Sequence, residues 1–142
     1  DGDEWIVASS HAQNLHISPH IDANRQLLLC LMMKLADVGA PLQELETGKI
    51  WGERFYNETR NAHKAGRGTE MNHIAFGRGQ IGFYDSYLKH VIEVAASTGA
   101  LMEEVTNNMA ANLKDIRDYW EANHPIILST WSHRWDSACS VE

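Results

Sequence analysis

From Asp22 to Val38 the chain reads DANRQLLLCLMMKLADV, with apolar residues nearly all round a helical wheel. The pattern predicts a buried helix with Asp22 as N-cap and an end near Val38 and Gly39. After Pro41 a second helix is expected. Its apolar stripe, Leu42, Leu45, Ile50, Trp51, Phe55 and Tyr56, faces away from Glu44, Lys49, Glu53 and Arg54, with a weak point at Gly48. Between Lys64 and Gly79 the periodicity lapses and glycines accumulate, which predicts a surface loop. Gln80 to Thr98 then carries Ile81, Tyr84, Leu88, Val91, Ile92 and Ala95 on one stripe, and Gly99 suits the end of that helix. Leu101 to Asn123 repeats Leu101, Val105, Met109, Leu113, Ile116, Tyr119 and Trp120 at helical steps, with Pro125 as the expected stop.

Upstream, Asp3 to Leu15 reads as a short helix that gives way at His16 to His20, where Ser18 precedes Pro19 and is pushed out of the helical region. The tail, Ile126 to Glu142, holds Trp131 and Trp135 but no readable pattern. Strand-type alternation and internal repeats are both missing from the sequence. The expected class is therefore all-α, about five helices, with residues 1–142 forming a single helical unit.

Composition narrows the function classes. A chain of 142 residues is long enough for one core. Its formal net charge of -7 argues against a nucleic-acid binder, since affinity for a phosphate backbone rests on clustered Lys and Arg. Cys30 and Cys139 do not make a disulfide framework, so a reducing, cytoplasmic setting is expected. No apolar run is long enough for a membrane span, and the N-terminus has neither the basic flank nor the apolar core of a signal peptide. The first residue is Asp1 rather than methionine, which leads us to expect either processing or a longer parent polypeptide.

Three places could carry chemistry. Asp37 follows the apolar run of the first helix, and an unpaired buried carboxylate is costly. It reads either as a metal ligand or general base, or as a helix-terminal aspartate bonded to the turn amides of Val38 to Ala40. Gln80 and Phe83 lie one helical turn apart, an amide and a flat ring on one face. They can hold a planar heteroaromatic, or serve as a first-turn polar residue and a core ring. The eight histidines match no compact ligand spacing, and no nucleophile motif or glycine-rich phosphate loop occurs, so no catalytic residue is named.

Taken together, RQLLLCLMMKLADVGAP, WGERFYNE, GQIGFYD and IRDYWEANHP resemble, in order and in most of their spacing, the C-terminal half of the class I cyclic nucleotide phosphodiesterase catalytic domain. The resemblance runs from about Asp22 to Pro125 and is most specific at Gly79 to Asp85. It implies the C-terminal part of a larger, all-α, HD-type domain that hydrolyses cAMP or cGMP with two divalent ions, zinc and magnesium. By position, Asp37 is similar to the carboxylate that ligates the tighter metal. Gln80 is similar to the glutamine that bonds the purine edge and Phe83 to the ring that clamps the base, and the resemblance implies that Ile81 lines the same pocket. The implied partners are a cyclic nucleotide and either an upstream half of the domain or a second copy of the chain.

The chain also departs from the family. The remaining metal ligands and the general-acid histidine belong to the half that precedes the matched stretch, Ala40 stands where many cAMP-selective members have asparagine, and Ile116 replaces an asparagine. The segment between Phe55 and Gln80 also looks shorter than is usual in the family. A non-catalytic helical scaffold descended from the same fold is the alternative expectation.

Overall fold

A computed structural model describes residues 22–68 and 73–138. Helix α1 runs Asp22–Val38, a 3-10 turn follows at Ala40–Leu42, and α2 runs Leu45–Lys64. Helix α3, His73–Phe83, passes through a π-helical turn at Tyr84–Leu88 into α4, Lys89–Ser97, and α5 spans Glu103–Ala138. Among the described residues there is no strand, so the all-α class stands. With α3, the π turn and α4 counted as one continuous rod, four of the expected five helices are seen. The helix expected at Asp3 to Leu15 and the turn at His16 to His20 lie outside the described residues. No helix among those described is long and apolar enough to cross a membrane.

Helix α5 is the axis of the fold. Glu103 and Glu104 lie in its first turn, where negative charge complements the helix dipole, and the amides of Val105 and Thr106 are taken up by the Met102 carbonyl. Leu113, Ile116, Trp120, Leu128 and Trp131 then line one side and are buried. Trp120 makes an edge contact with Trp131 at 5.7 Å and a tilted contact with Phe76 at 5.9 Å. Tyr56 meets Phe76 edge-on at 5.0 Å. Each such pair adds about 0.5–1.5 kcal/mol beyond its buried area.

Pro125 was expected to end this helix and does not, since it sits inside α5. A proline deprives the carbonyl four residues back of its partner and crowds it, so the ladder opens locally. Here the two side chains just before the proline bond back to the preceding turn. Asn123 Nδ2 donates to the Tyr119 carbonyl at 2.9 Å, and His124 Nδ1–H donates to that of Trp120 at 2.8 Å. Beyond the proline, Leu128 and Trp131 bury themselves in the core and hold the helix on its course. As far as Ala138 the tail with no readable pattern is thus a continuation of α5, although the Trp135 side chain lies outside the described residues.

The buried face of α2 also differs from the expected one. Ile50, Trp51 and Phe55 are exposed, whereas Gly48, Gly52 and Tyr56, spaced by four, are buried. The weak point at Gly48 is a packing contact: a Cβ there would lie 3.3 Å from Ile116 Cδ1, and one at Gly52 would lie 3.0 Å from Trp120 Cζ2. Two glycines let α2 lie close on the largest side chains of α5, and a hydrophobic pattern gives no weight to residues without a side chain. Arg134 of α5 also pairs with Glu53 of α2 at 2.8 Å, and Asn112 Nδ2 ties α5 to the 3-10 turn by donating to the Leu42 carbonyl at 3.0 Å.

Helix α1 is the other correction. The expected buried helix has Leu29 65 % and Met33 70 % exposed, with Leu27 and Met32 also exposed and Leu35 buried. Its principal contacts are α4 and the 3-10 turn, which together can cover only one side of a helix that is apolar all round. The loop expected at Lys64 to Gly79 is shorter than the sequence suggested, because α3 begins at His73. Gly99 ends the α3–α4 rod with φ +62°, as its position predicted.

Helix α3 crosses α5 at Gly77, where an added Cβ would fall 2.6 Å from His124 Cβ. We therefore expect Gly77→Ala to lower stability by about 1–3 kcal/mol through overpacking, despite the gain in helix propensity. Gly48→Ala meets only the movable end of Ile116 and should stay within about 1 kcal/mol of the parent. Urea denaturation of the two variants checks this contrast.

Candidate functional site

The rod His73–Ser97 buries Phe76, Tyr84, Leu88 and Ile92, with Gln80 half-buried between the first two, a stripe at four-residue spacing. An α-helix turns 100° per residue, so each such step overshoots by about 40° and the stripe drifts off its partner. The wider turn at Tyr84–Leu88, where Lys89 N–H bonds to the Tyr84 carbonyl, turns less per residue and brings the stripe back onto α5. The GQIGFYD stretch runs directly into this π turn. Single π turns of this kind concentrate at functional sites.

Gln80 and Phe83 share a face, as their spacing predicted. Gln80 is half-buried and its Oε1 accepts the Tyr84 hydroxyl at 3.3 Å. That bond turns the amide so that Nε2 is the group left to donate outward. The Phe83 ring is 36 % exposed and stacks on Tyr87 one turn on, with centroids 5.3 Å apart and planes 16° from parallel. Ile81 is half-buried and packs against the core.

Tyr84 itself is buried, and burial pushes its hydroxyl well above the ordinary tyrosine pKa, while the neighbouring Trp120 indole works in the opposite direction. Trp120 Nε1 approaches without a well-directed hydrogen bond, and among the described residues it is a buried side-chain polar atom left without a partner. The residue after Tyr84 is anchored to α5 as well. Arg117 presents Nε to Asp85 Oδ1 at 3.0 Å and a terminal nitrogen to Oδ2 at 3.3 Å, and it also bonds Glu121.

Asp37 is elsewhere. It lies exposed in the last turn of α1, which packs on α4 and the 3-10 turn, and not at the end of a buried helix as the sequence suggested. The reason is the uncovered side of α1: Leu29, Met33 and Asp37 are four residues apart and continue one exposed stripe. Among the described residues no three His, Cys, Asp or Glu side chains converge as a metal site would require. An open depression of about 510 Å³ is lined by Arg54, Asn57, Glu58, Asn61, Ala62 and Arg67, all on α2 or the turn after it, and it includes none of the residues named from sequence.

Sequence reasoning missed Tyr84 and Tyr87 as partners of Gln80 and Phe83, although both stand four residues on and the spacing could have found them. It could not have found Asp85 with Arg117, which are 32 residues apart and on different helices. Comparison of the chain with protein-family models, with curated proteins and with solved structures finds no match.

Because the folded state holds Tyr84 neutral above the pH at which the unfolded chain ionises it, that tyrosine favours folding fully below about pH 10 and progressively less as pH rises beyond. Tyr84→Phe should therefore cost about 0.5–1.5 kcal/mol at neutral pH, from the lost Gln80 bond. It should also flatten the alkaline fall in stability, read from denaturation midpoints between about pH 9 and 12.

Proposed function

We propose that this chain is the base-binding half of a cyclic nucleotide phosphodiesterase, acting in the cytoplasm on cAMP or cGMP. The observation that carries the reading is the pairing on one helical face of a half-buried, oriented amide, Gln80, with a partly exposed ring, Phe83, supported from behind by Tyr87. A planar base can lie on the outer part of such a ring while the amide bonds its edge. With Oε1 turned to the Tyr84 hydroxyl, Gln80 offers its Nε2–H on the other side, and both purines present acceptors on their edge. The arrangement therefore suits adenine and guanine alike. In this reading Ile81 supports the same wall from the core side.

The described residues do not fit the two divalent ions, zinc and magnesium, that the resemblance implies. Asp37 is exposed, and among the described residues no cluster of three ligating side chains forms. The reading assigns retention of the ions to residues beyond those described, with Asp37 as a contributed carboxylate at the border of the uncovered α1 stripe. The partner that completes the site is then an upstream half of the same domain or a second copy of the chain. The exposed Asp37 also favours a second reading, a non-catalytic scaffold that keeps the helical fold without the metals.

The full-length protein should hydrolyse cAMP or cGMP only when a divalent metal is supplied, and Asp37→Ala should abolish turnover. Gln80→Ala should weaken nucleotide binding roughly tenfold with the helical content unchanged, measured by titration calorimetry and circular dichroism. A protein that binds neither nucleotide under these conditions supports the scaffold. Unaltered affinity after Gln80→Ala removes this residue from the pocket.

A further inference from the structure

The π turn costs helix geometry, and something must hold it open at the register observed. Two consecutive residues of the turn are engaged by α5: Tyr84 lies against the Trp120 indole, and Asp85 receives the Arg117 fork at 3.0 and 3.3 Å. Arg117 and Trp120 are themselves three apart on α5 and so present the same face. Trp120 is fully buried, while the Arg117 side chain is 20 % exposed and that of Asp85 40 %. A bidentate guanidinium–carboxylate pair fixes angle as well as distance, which a single hydrogen bond or a bare charge does not. Glu121 and Asp118, further along α5, face the same guanidinium through its remaining terminal nitrogen, so the nitrogens that meet Asp85 are left to it.

We propose that Arg117 is a positioning residue for Gln80: its fork on Asp85 clamps the π turn to α5, and the clamped Tyr84 hydroxyl sets the direction of the Gln80 amide. Arg117 touches no ligand in this account. It acts through Asp85, then Tyr84, then the amide. The same reasoning explains why lysine would not serve, since it supplies the charge without the planar pair of donors. The proposal rests on the base-binding role assigned to Gln80 only for its effect on nucleotide affinity. The clamp itself stands apart from that role.

The test uses the full-length protein and the cycle Asp85→Asn, Arg117→Gln and both together, with Arg117→Lys as the charge-preserving variant. Amide hydrogen exchange at Lys89, whose N–H closes the π turn on the Tyr84 carbonyl, should quicken about tenfold in each single variant, including Arg117→Lys. The double variant should be no faster than either single one. The Gln80 side-chain NH2 resonances should move in the same variants, a signature that general loosening of α5 would not give. Where cAMP or cGMP is turned over, KM should rise while kcat at saturation is retained. Additive effects, unchanged exchange at Lys89, or a Gln80 amide that does not respond would each overturn the clamp. A wild-type protein that binds no nucleotide, with the exchange and resonance changes as expected, would overturn the phosphodiesterase reading and leave the clamp standing.

Discussion

The burial of Trp120 is the constraint on which the other contacts depend. Its indole is in contact with Phe76 of α3 and Trp131 further along α5, lies under Gly52 of α2, and faces Tyr84 of the π turn. A side chain of that size fully removed from water contributes a large share of the apolar area that drives folding. It also sets the spacing of what surrounds it. Helix α2 comes closest to the indole at Gly52, and α3 crosses α5 at Gly77 against His124 one turn beyond, so these two glycines answer to the indole and to the histidine that follows it.

The same seat reaches the candidate site. With Trp120 fully buried, Tyr84 is held between it and Gln80, and a polar group so placed has few directions open to it. The π turn reconciles two demands on one rod: a stripe spaced by four residues must stay on α5 along its length, and Gln80 and Phe83 must stand at the edge of that stripe. An unbroken α-helix would satisfy the second and let the first drift. Local irregularity here is therefore a product of packing, and the amide orientation is inherited from it.

The parts legible in the sequence are those where periodicity and burial coincide. Tyr84, Leu88, Ile92 and Ala95 on one rod, and Leu113, Ile116 and Trp120 on another, were read from spacing alone and are buried. The reading failed on α2 because the buried residues there include two glycines, which carry no hydrophobic signal but permit the closest approach. It failed at Pro125 because the helix beyond is held by tertiary contacts of Leu128 and Trp131 that local rules do not weigh. For the site, the shared face of Gln80 and Phe83 was legible, being a property of helical geometry. The supports from Trp120 and Arg117 come from a separate helix and leave no trace in local spacing.

Helix α1 poses the remaining physical question. Leu29 and Met33 stand exposed on a stripe that ends at Asp37, in a chain with net charge -7. Covering that stripe with apolar surface gains free energy in proportion to the area removed from water, but it brings the covering body to the border of a carboxylate. Desolvating an unpaired carboxylate costs several kcal/mol, which would offset much of the gain. A cover that also supplies positive charge, whether a cationic side chain or a metal ion held by other ligands, turns the same carboxylate into an attraction. The carboxylate at Asp37 thus constrains whatever body covers Leu29 and Met33, through the cost of leaving a charge alone.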